Sequence, residues 1–166
     1  SDAFLEQAEG LASGGAHGIV IETMADLEEA CLAVRAAKET GLPVCGCMVF
    51  DSGENLDRTM MGIGPEQAAE GLADAGADIV GANCGKGIEN FPETCRRLSE
   101  STDRPIWIKA NAGLPEIENG SAVYHTTPKE FAARVPPLVQ AGASFVGGCC
   151  GTAPDFIRET AAILAG

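Results

Sequence analysis

The chain has 166 residues, 45% of them hydrophobic, enough for one globular domain with a real core. Lys and Arg total 11 against 24 Asp and Glu, a formal net charge of −13 that opposes binding to nucleic-acid phosphates and to anionic membranes. No apolar run reaches the roughly 20 residues of a membrane span. No secretory leader is expected, and the seven cysteines are an odd number, so the sequence reads as a cytoplasmic protein with free or metal-binding thiols.

Residues 2–14 (DAFLEQAEGLASG) read as a helix, followed by HGIVIET at 17–23, the first of five apolar runs. A helix near 25–40 follows, capped at its start by Thr23 or Asp26 and stopped by Gly41 and Pro43. PVCGCMVF at 43–50 is the second run. A helix near 65–75, opened by Pro65, leads to the third, ADIVGANC at 77–84. After a helix near 88–101 comes RPIWIKANAG at 104–113, then a long loop, 114–128. A helix over 127–141 opens at Pro128 and should kink at Pro136-Pro137, because proline removes a donor and clashes with the preceding turn. ASFVGGCCG at 143–151 is the fifth run, and a helix over 154–165 closes the chain.

Continuous apolar runs alternating with helices are the pattern of a parallel sheet in an α/β protein. The repeat of about 25–35 residues matches a β/α barrel, but a whole barrel needs eight strands and about 250 residues. Five strands make either an open parallel sheet or part of a barrel. In both, the active site forms at the carboxyl ends of the strands. Those ends carry Glu22 and Thr23, Asp51, Asn83 and Cys84, Asn111, then Cys149 and Cys150.

Cys84, Cys149 and Cys150 therefore fall at strand ends that a curved sheet brings together. Three converging thiolates make a soft-metal site, with zinc the expected occupant, and three protein ligands leave a fourth position open, as in catalytic zinc sites. Such a metal holds an incoming thiol as thiolate, a nucleophile at neutral pH. Cys31, Cys45, Cys47 and Cys95 read instead as ordinary core or surface thiols. Glu22 ends an apolar strand and is suited to pair with a substrate ammonium, although a surface carboxylate or helix cap would look the same. His17 and His125 read as solvated or structural, and Tyr124, in a long loop of the kind that often borders such sites, is a candidate to line it.

IETM (21–24), GANCG (81–85), IKANAGLPEIENG…VY (108–124) and GGCCGTAPDFI (147–157) together resemble the homocysteine S-methyltransferase, or homocysteine-binding, domain. The resemblance implies a (β/α)8 barrel that moves a methyl group to the sulfur of homocysteine to form methionine. It implies zinc on Cys84, Cys149 and Cys150, contact of Glu22 with the homocysteine amino group, and substrate-pocket places for Asn83 and Asn111. The NAGLP…NG…Y loop looks most like the cobalamin-dependent methionine synthase branch. The family's donors are methylcobalamin, betaine or S-methylmethionine; that branch implies methylcobalamin, carried on another domain or protein, since nothing here resembles a corrinoid module.

Against that family, residues 1–166 resemble the carboxyl-terminal part of the barrel, without the first three β/α units and their Gly-rich carboxylate-binding loop. A shortened chain, a proteolytic cut or a naturally split protein would each begin this way. Five strands leave two open edges, so self-association or an amino-terminal barrel half is expected. Two other readings stand beside the enzyme. One is a non-catalytic zinc-binding fragment that must assemble with a partner. The other is a thiol redox protein using Cys149 and Cys150, which the strain of a vicinal disulfide and the lack of C-x-x-C oppose.

Overall fold

Apolar residues on both sides of each strand require cover on both faces, and the architecture follows from how far that cover extends. The computed structural model describes residues 2–166. Helix α1 (Asp2–Ser13) precedes strand β1 (Ile19–Met24). Then come α2 (Leu27–Lys38), β2 (Val44–Met48), α3 (Pro65–Asp74) and β3 (Ile79–Cys84). A 3-10 turn (Ile88–Asn90) leads into α4 (Phe91–Glu100) and β4 (Ile106–Ala110). The chain continues through β5 (Glu116–Glu118), β6 (Ser121–Val123), α5 (Pro128–Ala133), α6 (Pro136–Gln140), β7 (Ala143–Gly148) and α7 (Pro154–Leu164). Among the described residues no helix is long and apolar enough to cross a membrane.

Five strands form one sheet in the order β1-β2-β3-β4-β7, every neighbouring pair parallel. This is the strand–helix repeat of a β/α barrel over five successive units, as the sequence pattern leads one to expect. The helix-bearing face is close-packed. Val34 of α2, Leu72 of α3 and Leu98 of α4 are fully buried with Val44, Val80, Ile106 and Ile108 of the strands. Gly46 belongs to this face: a Cβ there would lie 2.9 Å from Leu72 Cδ2, so glycine lets α3 approach β2.

The opposite, inner face carries Val20, Glu22, Cys45, Cys47, Trp107, Lys109 and Phe145. At the two edges of the sheet it stays open, with Val20 41% and Phe145 47% exposed.

Local chemistry sets the boundaries. Asp26 caps α2, its Oδ1 accepting from Glu29 N–H at 2.9 Å. Thr127 and Glu130 form a capping box on α5. Pro136-Pro137 divides the expected 127–141 helix into α5 and α6. The long loop 114–128 is more ordered than its composition indicates, because β5 and β6 pair as a small antiparallel hairpin through Asn119 and Gly120, both at positive φ.

Candidate metal centre

The parallel strands bring their carboxyl ends to the same end of the sheet, and here three thiols meet. Cys84 Sγ lies 3.7 Å from Cys150 Sγ and 3.7 Å from Cys149 Sγ, and the two adjacent sulfurs are 3.9 Å apart. Adjacent residues of a strand cannot aim at one point. Cys149 and Cys150 manage it because β7 has ended at Gly148 and the chain turns through Gly151, whose φ is 79°. A Cβ on Gly151 would fall 2.3 Å from the Tyr124 ring, so the glycine also seats Tyr124 of the hairpin against the thiol turn.

Cys84 itself adopts φ 67°, with Gly85 at 71°, an uncommon conformation for a residue with a side chain. Asn111 holds the two thiol loops together. Its Nδ2 donates to Gly85 O at 2.8 Å and its Oδ1 accepts from Cys150 N–H at 2.9 Å. The backbone repeats the tie, with Asn111 N–H on Cys84 O at 3.2 Å and Cys149 N–H on Ala110 O at 2.8 Å.

Asn83 performs the same service on the other side. Its Oδ1 accepts from Thr23 N–H at 2.7 Å, and its Nδ2 donates to Thr23 Oγ1 at 2.7 Å and toward Cys149 Sγ at 3.7 Å. Thr23 needs these bonds: it is β-branched with φ 60°, and the β1–β2 register shifts between Ile21 and Met24. Glu22 stands at that irregularity, its side chain 48% exposed and paired with Lys109 Nζ. Asn83 and Asn111 thus sit at the thiol cluster with their amide groups bonded to protein.

A tetrahedral zinc with Zn–S bonds of about 2.3 Å keeps its sulfurs ~3.8 Å apart, which fits the 3.7, 3.7 and 3.9 Å separations here. The thiols differ in acidity. Burial, then the Cys150 and Cys149 thiols beside it, pushes Cys84 up to about 12. At Cys149 burial also opposes ionisation, but the Asn83 amide and the surrounding thiol and N–H donors outweigh it and lower the pKa. Cys150 is exposed, so the cluster opens to solvent. Cys31, Cys45, Cys47 and Cys95 are all buried away from it. A second group, Glu116, Glu118 and His125, lies on the hairpin, each side chain exposed and His125 Nε2 3.4 Å from one oxygen of each carboxylate.

The sequence profile described as homocysteine S-methyltransferase matches residues 1–164.

The chain belongs to the homocysteine S-methyltransferase family.

As a member of that family it is 36% identical over 171 residues to methionine synthase of Mycobacterium leprae (strain TN), and 35% identical over 171 residues to methionine synthase of Mycobacterium tuberculosis (strain ATCC 25618 / H37Rv). Each alignment covers 99% of this chain and 14% of the relative, so the chain spans about a seventh of those proteins. Its fold is similar to the homocysteine methyltransferase MmuM from Escherichia coli. The apo form matches at TM-score 0.76 and 21% identity, over 98% of this chain and 57% of that one. The metallated form matches at TM-score 0.74 and 22% identity, over 97% of this chain and 51% of that one.

Sequence reasoning missed Lys109 in the thiol cluster's surroundings, because it lay inside an apolar run and read as strand. Thr23 was placed at the active end of the first strand and as a possible cap, without its bonds to Asn83. The charge of Lys109 within WIKA was the available signal, since a buried lysine needs a partner.

Proposed function

We propose that this domain transfers a methyl group to the thiol of homocysteine to form methionine, with zinc held by Cys84, Cys149 and Cys150. The observation that carries the reading is the spacing of three thiols from two non-adjacent strands, at the separations a tetrahedral zinc requires. Zinc bound there would supply the Lewis acidity that keeps the homocysteine sulfur ionised at neutral pH, as a nucleophile toward an electrophilic methyl group.

The chain's own residues prepare the site. Cys84, Cys149 and Cys150 present the donor set, with Cys150 on the solvent side. Asn111 fixes the relative positions of the Cys84 and Cys150 loops, and Asn83 fixes Cys149 against the Thr23 turn. Glu22 offers its half-exposed carboxylate to the homocysteine ammonium. Tyr124 borders the opening beside Gly151. The transfer forms the S–CH3 bond of methionine, breaks the donor's bond to methyl and releases the thiol proton to solvent. The donor is methylcobalamin on a separate domain or protein, a choice supported by the NAGLP…NG…VY loop and the methionine synthase relatives.

The open inner face at Val20 and Phe145 favours a further reading about assembly. The described strands form the carboxyl-terminal portion of a barrel that is completed by additional strands, in the same polypeptide or in a partner. Incubation of the zinc-loaded chain with homocysteine and methylcobalamin, with and without added amino-terminal barrel segments, tests both readings by methionine formation. Methionine made only by the complemented protein supports the two together. No methionine from either preparation, with zinc bound, contradicts the catalytic one.

A further inference from the structure

Glu22 is held from within the sheet. Lys109 of β4, opposite Asn83 of β3 and Gly147 of β7, reaches across the inner face and donates from Nζ to Glu22 Oε1 on β1. The pair is a strut over the inner face between strands that are not neighbours. Its two ends differ: the Lys109 side chain is 6% exposed and the Glu22 side chain 48%. The ammonium also lies 4.4 Å from the Trp107 ring centroid, a cation–π contact.

The neighbouring strands make room for this lysine. A Cβ on Gly147 would sit 3.3 Å from Lys109 Cγ and 3.4 Å from Trp107 Nε1. On the other flank, a Cβ on Gly81 would sit 2.1 Å from Trp107 O and 3.0 Å from Cys47 Sγ. A side chain at Gly81 would collide with the Trp107 backbone, whereas one at Gly147 would press on Lys109 and Trp107 by a few tenths of an ångström.

A buried ammonium must be paired; Lys109 lies against the Cys47 thiol and takes Glu22 as its carboxylate partner, which holds Glu22 in one orientation. One carboxylate oxygen is used, and among the described residues no protein donor reaches Oε2. We infer that Lys109 is a positioning residue that fixes Glu22 with one oxygen left for substrate, and so sets the preference for a thiol bearing an α-ammonium group. The inference rests on the homocysteine reading above. Lys109 also competes with the substrate for the Glu22 charge, but that charge is half in water and screened. Glutamate has among the largest side-chain entropies, so ordering it in advance is the greater effect.

The test compares homocysteine with 4-mercaptobutanoate, which has the same thiol and carboxylate but no amino group, by calorimetric titration of the full zinc-loaded chain. The native chain should prefer homocysteine by about tenfold or more. Lys109→Met should cut that preference to about threefold or less with the mercaptobutanoate affinity unchanged. A purely architectural role for Lys109 would weaken both thiols equally, and that result overturns the inference. So does Lys109→Met with the native preference intact. Glu22→Gln, at a half-exposed position, provides the check that does not depend on removing the buried lysine. Its failure to lower the preference, or native binding of neither thiol, overturns the homocysteine-anchor reading and the inference with it.

Discussion

Asn111 joins the two loops that carry Cys84 and Cys150 without presenting a donor to the cluster, so its contribution is measurable apart from theirs. Asn111→Ala leaves the three thiols in place but removes the bonds to Gly85 O and Cys150 N–H. Groups that orient metal ligands typically contribute about 10–100-fold to affinity, and zinc competition against a chromophoric chelator should show a loss of that size. Unchanged affinity would mean that the backbone bonds alone set the loops. The convergence of the three thiols was legible in the sequence because each follows an apolar run that ends in small residues. The roles of Thr23 and Lys109 were not. A positive φ at a threonine is imposed by Asn83 from 60 residues away, and the partner of Lys109 lies 87 residues away in sequence. Local pattern contains neither fact.

At the scale of elements, α3 and α4 are tied by Arg97. Its guanidinium bonds Glu66 Oε1 at 2.6 Å and Asp57 Oδ2 at 2.5 Å. Arg97 beside it lowers Glu66 from an ordinary value of 4.5 to about 2. A carboxylate lowered on folding stabilises above its unfolded pKa, and that stability is lost as pH falls from about 4.5 toward 2. The Glu66 side chain is 46% exposed, so solvent screening limits the effect to roughly 1 kcal/mol or less. Urea unfolding should find Glu66→Gln less stable than the native chain at pH 7 and equal to it near the low end of that range. A gap that does not change with pH would show that the Coulomb pairing is not its source. The five strands and their helices were legible because buried parallel strands read as continuous apolar runs. The β5–β6 hairpin was not, since its strands are three residues long, β5 is exposed and charged, and pairing through Asn119-Gly120 is its main signature.

Over the whole molecule, one face of the sheet is packed and the other is open at both edges. Val20 and Phe145 lie on the edge strands β1 and β7, which also have unpaired hydrogen-bonding groups along one side. Light scattering should therefore find the chain self-associated at micromolar concentration, and an added amino-terminal barrel segment should replace self-association with a one-to-one complex. A monomer indifferent to that segment would contradict the proposal that further strands complete the barrel. The parallel order of the sheet follows from the alternation of strand and helix, whereas which face stays open depends on residues outside any single repeat.

The most direct test is the zinc content of the native chain and of Cys84→Ser, Cys149→Ser, Cys150→Ser and Cys45→Ser, each purified under reducing conditions and confirmed folded by circular dichroism. The account predicts about one zinc per native chain, the same in Cys45→Ser, and less than about a fifth in each of the other three variants. A folded native chain without zinc, or zinc retained when Cys84 is replaced, would contradict a single metal centre built from the ends of β3 and β7.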